Sequence, residues 1–299
     1  KEGSERVKDG ELLLELFNRD MKEKVKHLLS FLLHGERPPI YAQISLLTPN
    51  NRLCGSKIIV TGSSRGIGFA MAKKFVDEGA DVLITGRNEE SLQKSAEQIK
   101  CKYLVLDVQD INSFQSFIQH ADEILGGITC LVNNAGVSLH EQDFFHVTQD
   151  TFDKQINTNL RSSVFLAQEF IRYAIGKGQK ANLLFISSEV GELADNRPYG
   201  WTKASINSMV KGLASNFASQ GIRVNAISPG ITCSSMTGVK ADGDLFISTN
   251  ATQRAYLPEE IAEVATFMLS DCSECLSGQI LVCNNGKTIY SREKIEKNG

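Results

Sequence analysis

In the stretch Lys57-Ile58-Ile59-Val60-Thr61-Gly62-Ser63-Ser64-Arg65-Gly66-Ile67-Gly68, a β-branched run passes directly into a glycine-rich octet and then into a helical pattern. A strand that ends on such a loop and reopens as a helix gathers backbone N–H groups and the positive helix end at one point, an anion site suited to a pyrophosphate. The glycines let the backbone turn and approach phosphates without a Cβ in the way. The octet alone is weak evidence. Here a strand precedes it, a helix follows it, and a second strand arrives roughly 30 residues on, as a dinucleotide-binding unit requires.

Downstream the same alternation continues. KIIVTG, ADVLITG, KYLVLDV, ITCLVNNAG, NLLFISS, IRVNAISPG and GQILVCNNG read as seven buried strands. Between them, segments 66–79, 88–100, 110–126, 150–177, 199–220 and 258–270 have helical length and period. Strand, helix and strand repeated this often imply crossover units. The expected fold is α/β: a doubly wound, seven-stranded parallel sheet of Rossmann-like form over residues 56–290. Upstream, Leu14, Phe17, Met21, Val25, Leu28 and Leu32 recur at three- and four-residue steps, the period of one helical face. Residues 1–55 are therefore expected to be a helical extension and linker, and 291–299 a charged tail.

Composition narrows the function classes. The 299 residues are 41% hydrophobic and 22% charged, near the globular average. A net charge of -3 offers no footprint for nucleic acid or an anionic membrane surface, and neither partner is expected. No apolar run reaches the length of a membrane span. Seven scattered cysteines read as reduced thiols, which points to the cytoplasm. Cys272 and Cys275 form one C-x-x-C without a second pair at zinc-site spacing, so no metal is expected.

Sheets of this kind bind ligands outside the carboxyl ends of their strands. The second strand ends ITG-Arg87, with Gly86 where an NAD-preferring site carries an acid on the ribose 2′-hydroxyl. A carboxylate there would repel a 2′-phosphate, whereas Arg87 and Arg65 are able to pair with one. NADP(H) is the expected cofactor, with NAD(H) the alternative.

A Tyr four residues before a Lys stands on the same helix face, where the ammonium lowers the phenol pKa and makes it a usable acid or base. Three such pairs occur: Tyr173/Lys177, Tyr199/Lys203 and Tyr290/Lys294. Only Tyr199, which opens a helix through Pro198 after the strand NLLFISS, lies where the ligand crevice belongs.

With these residues, the chain from about 57 to 286 resembles the short-chain dehydrogenase/reductase family, in its single-domain Rossmann branch, and within it the 3-oxoacyl-thioester reductases. TGSSRGIG is similar to the family's glycine-rich loop and supplies Gly62, Ser64, Arg65, Gly66, Ile67 and Gly68. LDV resembles its adenine-contacting segment, Asp107 with Val108, and NNAG its cofactor-lining turn, Asn134, Ala135 and Gly136. Pro229-Gly230-Ile231-Thr232-Cys233-Ser234 resembles the turn that anchors the nicotinamide carboxamide, with Thr232 and Ser234 in contact positions. The resemblance implies a catalytic set of Asn159, Ser188, Tyr199 and Lys203. Tyr199 would exchange a proton with the substrate oxygen and Ser188 would hold that oxygen. Lys203 would lower the Tyr pKa and bind the nicotinamide ribose, while Asn159 would hold a relay water. It also implies a homodimer or homotetramer, to which the apolar faces of 150–177 and 199–220 would contribute.

Three departures from the pattern stand out. Ser188 precedes Tyr199 by eleven residues, which is short, and Ser187 remains an alternative to it. The expected substrate lid, about 235–256, is short and polar. NNG at 284–286 replaces an acidic-Gly-Gly turn. Three functional readings follow: a carbonyl/alcohol oxidoreductase acting on a small molecule, a 3-oxoacyl-thioester (acyl-carrier-protein) reductase, and a nucleotide-binding sensor or scaffold without chemistry.

Overall fold

The computed structural model describes residues 40–42 and 49–289. The amphipathic stretch 11–33, the pair Tyr290/Lys294 and the tail 291–299 lie outside these residues. All seven expected strands form: β1 (Lys57–Val60), β2 (Asp81–Gly86), β3 (Lys102–Val105), β4 (Cys130–Asn133), β5 (Ala181–Ile186), β6 (Ile222–Pro229) and β7 (Ile280–Cys283). They make one sheet of order β3-β2-β1-β4-β5-β6-β7, parallel throughout. From β1 in mid-sheet the strand sequence runs out to β3, then crosses back to β4 on the other side of β1. That reversal opens a crevice at the carboxyl ends of β1 and β4, where open α/β sheets take their ligands.

Seven α-helices connect the strands among the described residues: α1 (Gly66–Asp77), α2 (Glu89–Ile99), α3 (Phe114–Leu125), α4 (Gln149–Gln155), α5 (Ser162–Lys177), α6 (Pro198–Phe217) and α7 (Pro258–Leu269). Successive strand side chains point to opposite faces, so both faces need cover. Ile59, Leu83, Leu131 and Phe185 face Phe114 and Phe117 of α3, Phe170 of α5 and Ile206 of α6. Their neighbours Ile58, Val60, Ile84 and Val132 face Met71 and Phe75 of α1, Leu92 of α2 and Met268 of α7. Alternate residues of one strand thus serve two separate cores. Strands buried on both sides therefore read as unbroken apolar runs.

Two local results differ from the periodicity. The stretch 150–177, expected as one helix, is divided by a π-helical turn over Ile156–Arg161. Its widened register loosens carbonyls that the hydroxyls of Ser162 and Ser163 then satisfy, donating to the carbonyls of Thr158 and Asn159 at 2.6 Å each. Within the stretch expected to be a linker, Leu53 is buried among Val82, Phe75 and their neighbours, and Arg52 pairs with Glu78 and Glu263. The Glu78 carboxyl, bonded by Arg52, is held down at about 2. The segment after β6 forms turns and isolated bridges around a small cluster of Cys233, Leu245 and Ala255.

Candidate functional site

The glycine-rich loop leaves β1 at Thr61, whose buried hydroxyl accepts from the backbone N–H groups of both Asn134 and Ala135 at 3.0 Å. Asn134 answers by donating its amide to the carbonyls of Thr61 and Gly62, at 2.8 and 3.0 Å. The loops after β1 and β4 are thereby locked edge to edge. Gly62 holds φ +62°, and a Cβ there would come within 2.8 Å of the Ala135 Cα. At Gly68 a Cβ would fall 2.6 Å from both the Asn134 amide and the Gly62 carbonyl. Helix α1 starts from extended Arg65 with no side-chain cap, which leaves its first N–H groups for a ligand. Bare glycine backbone, an uncapped helix start and a rigid neighbouring loop fit a pyrophosphate.

Around this loop the expected cofactor residues converge. The Ser64 carbonyl accepts from Ser95, and the carbonyl of Gly86 accepts from Leu106 N–H at 2.9 Å, which brings Arg87 and Asp107 side by side. Arg65 and Arg87 are exposed and carry no ion pair among the described residues. A Cβ at Gly86 would meet only Leu92 at ordinary contact distance, so packing does not exclude an acid there. Asp107 accepts from Gln109 N–H at 3.0 Å, while the Val108 side chain packs into the core. Across the crevice, the Thr232 hydroxyl turns back to the Gly230 carbonyl, and Ser234 stands beside Gly66. Ile67 is half-buried on α1, Pro229 closes β6, and Gly136 lies between the Asn159 amide and the Lys203 ammonium.

Asn159, Ser188, Tyr199 and Lys203 come together at the ends of β4 and β5. The π-helical turn presents Asn159, whose side chain clasps Val137 by accepting from its N–H and donating to its carbonyl, both at 2.8 Å. Lys203 is 4% exposed; its ammonium donates to the Ile186 carbonyl at 2.8 Å and lies 5.6 Å from the Tyr199 ring centroid. Burial pulls its pKa down to about 8. The Tyr199 phenol is raised by burial, which outweighs the lowering from its hydrogen bond with Ser188. The spacing anticipated an ammonium that draws the phenol down; in the folded protein desolvation is the larger effect.

Ser187, the alternative to Ser188, is buried and donates to the Lys203 carbonyl at 3.3 Å, turned from the crevice. The short connection from Ser188 to Tyr199 succeeds because Gly191 lies flat on α6, where a Cβ would sit 2.9 Å from the Lys203 carbonyl carbon. A cavity of about 540 Å³ opens along this connection, lined by Val190, Leu193, Ala194, Asp195, Asn196 and Arg197. Tyr173 and Lys177 instead both bond Asp122, at 2.6 and 2.9 Å, and tie α5 to α3. Trp201, two residues past Tyr199, is rotated away and packs against Phe144 and Phe152.

Two contributors were not read from the sequence. Thr61 belongs to the octet 61–68, but its role depends on a loop 73 residues away. Gln109 donates to the Thr158 hydroxyl at 3.0 Å and fastens the π-helical turn to the loop after β3. No local pattern marks either.

Residues 62–288 match the family model described as enoyl-(acyl carrier protein) reductase. The 3-oxoacyl-(acyl-carrier-protein) reductase of Chlamydia pneumoniae is 33% identical over 245 residues, 79% of this chain and 98% of that protein. The gluconate 5-dehydrogenase of Gluconobacter oxydans is 30% identical over 248 residues, 79% and 96%. Among solved structures, a short-chain type dehydrogenase/reductase from Mycobacterium marinum superposes with a TM-score of 0.74 at 26% identity, covering 80% of this chain and 97% of that one.

Proposed function

The chain belongs to the short-chain dehydrogenase/reductase family, whose members are oxidoreductases of CH–OH and C=O groups, and from that premise we propose that it interconverts a carbonyl and an alcohol with NADP(H). The observation that carries the reading is the meeting of Asn159, Ser188, Tyr199 and Lys203 beside the glycine-rich loop. When bound, the nicotinamide supplies hydride for reduction and receives it in oxidation. Gly62, Ser64, Gly66, Ile67 and Gly68 would hold its pyrophosphate, Asp107 and Val108 the adenine side, and Asn134, Ala135 and Gly136 the ribose side. Pro229, Gly230, Thr232 and Ser234 would hold the carboxamide.

Tyr199 donates its phenolic proton to the carbonyl oxygen. Ser188 donates a hydrogen bond to the same oxygen and stabilises its developing charge. The Lys203 ammonium stabilises the phenolate left behind, and the second lone pair of Asn159 Oδ1 is left for a water that returns the proton through Lys203. A site that aligns donor, oxygen and base in this way makes the transfer nearly unimolecular.

Gly86 and the unpaired Arg65 and Arg87 favour a 2′-phosphate. The substrate reading is a carbonyl of small or medium size; likeness to the Chlamydia enzyme supports 3-oxoacyl thioesters as the second reading. One experiment addresses both: oxidation of NADPH and NADH is followed with an acetoacetyl thioester and a panel of small ketones. NADPH is expected to bind at least about tenfold more tightly than NADH, a preference reversed by Arg87→Glu. Turnover of small ketones but not the thioester removes the second reading. Tight NADPH binding with no turnover of any carbonyl leaves the sensor or scaffold reading.

The seven free cysteines favour a reducing, cytoplasmic setting. Phe152, Val164, Phe165 and Ile175 leave α4 and α5 with exposed apolar side chains, which supports a homodimer or homotetramer. Sedimentation at micromolar concentration is expected to give two or four times the mass of one chain; a single-chain mass refutes it.

A further inference from the structure

The residue after Ser188 carries a buried carboxylate that the chemistry above does not use. The Glu189 side chain is 5% exposed and pairs with Lys287, itself 23% exposed, at 2.6 Å. Its other oxygen accepts from Asn284, a 1%-exposed residue of the NNG turn, at 3.1 Å. The Lys287 ammonium also donates to Asn250 at 3.3 Å, and Asn250 donates to the Arg254 carbonyl at 2.7 Å. The Glu189–Lys287 pair therefore joins three segments: the turn after β5 that carries Ser188, the turn after β7, and, through Lys287 and Asn250, the segment expected to be the lid.

The same carboxylate reaches the turn after β6. A Cβ at Gly230 would lie 3.3 Å from the Glu189 oxygen, 3.2 Å from Asn284 and 2.7 Å from the Tyr256 ring. Gly230 also donates its N–H to the Cys283 carbonyl at 2.9 Å, so its backbone is pinned between β7 and the carboxylate. The Pro229-Gly230 turn is thus set against the carboxylate of the residue that directly follows Ser188 in the chain.

The geometry points to Glu189, held by Lys287 and Asn284, as a positioning residue that keeps Ser188 and the Pro229-Gly230 turn in register and ties the 235–256 segment to both. Such a pair is suited to this because its geometry is narrow, and loss of Lys287 strands the Glu189 carboxylate away from water. Alignment within the site is sensitive to small displacements of its supporting groups. This inference rests on the reading of Ser188 as the residue that holds the reacting oxygen.

The test is hydrogen exchange of the full chain without added cofactor, comparing wild type, Lys287→Met and Glu189→Gln. In Lys287→Met, exchange is expected to rise about tenfold together in 187–192, 229–234 and 247–256, with β1 and β4 unchanged. Exchange raised only in 284–289, or uniformly over the chain, overturns the coupling. The second readout is kcat per NADPH-binding site, expected to fall about tenfold in Lys287→Met with KM for the carbonyl little moved. The double variant Glu189→Gln/Lys287→Met is expected to recover part of that loss, because no lone charge remains. Faster exchange with unchanged kcat makes the pair structural and refutes positioning. A wild type without turnover refutes the proposed function instead, while the exchange pattern still decides whether the three segments are coupled.

Discussion

Tyr199→Phe is expected to leave folding and NADPH affinity near wild type and to lower carbonyl turnover about a thousandfold. The substitution removes one oxygen and keeps the ring that lies 5.6 Å from the Lys203 ammonium. What disappears is the proton donor and the group hydrogen-bonded to Ser188. A loss confined to kcat, with the NADPH dissociation constant unchanged by calorimetry, identifies the phenol as the acid. Wild-type turnover in Tyr199→Phe would eliminate it, and the mechanism with it.

The second large effect concerns Lys203 and pH. Burial holds its ammonium pKa at about 8, below its ordinary value of 10.5, so the side chain is charged below about pH 8 and neutral above it. Reductive kcat/KM should therefore fall as pH rises through about 8, since this parameter reports the free enzyme. Lys203→Met should lower activity about a hundredfold at pH 7, with the gap to wild type narrowing above pH 9. A pH profile unchanged by Lys203→Met would exclude this assignment.

Stability should move the other way. The folded state binds the Lys203 proton less tightly than the unfolded chain, so stability is reduced below the folded pKa and recovers as pH rises from about 8 toward 10.5. The reduction is on the order of 3 kcal/mol at neutral pH. Lys203→Met is therefore expected to melt at a higher temperature than wild type at pH 7 while losing activity. Such an exchange of stability for function is common where a charge is buried for chemistry.

Much of the candidate site was legible because its residues belong to local patterns. The octet 61–68 needs glycines in a fixed order before a helix, and Tyr199 and Lys203 share a helix face at a spacing of four. Pro198 marked the start of that helix, and the structure begins α6 there. Other features were not legible. Nothing local distinguishes Ser187 from Ser188; the separation comes from β5 pairing with β6, which buries one hydroxyl against α6 and turns the other to the crevice. The π-helical turn carries no glycine or proline signal, because what supports it is Ser162 and Ser163 hydroxyls bonding backward to carbonyls. Spacing implies a Tyr199 phenol lowered by Lys203, whereas burial raises it, since spacing says which charge is near but not how much water remains.

Patterns of period two and 3.6, together with glycines at steric choke points, are properties of neighbouring residues, so the strand–helix alternation, the glycine-rich loop and the Tyr199/Lys203 pair can be read along the chain. Contacts between distant segments are different in kind. The clamp of Thr61 on the loop at Asn134, the Glu189–Lys287 pair across 98 residues, and the burial that shifts the Tyr199 and Lys203 pKa values all depend on which strand lies beside which. Strand order and desolvation come from burying two apolar faces of one sheet at once, a condition that no local window contains.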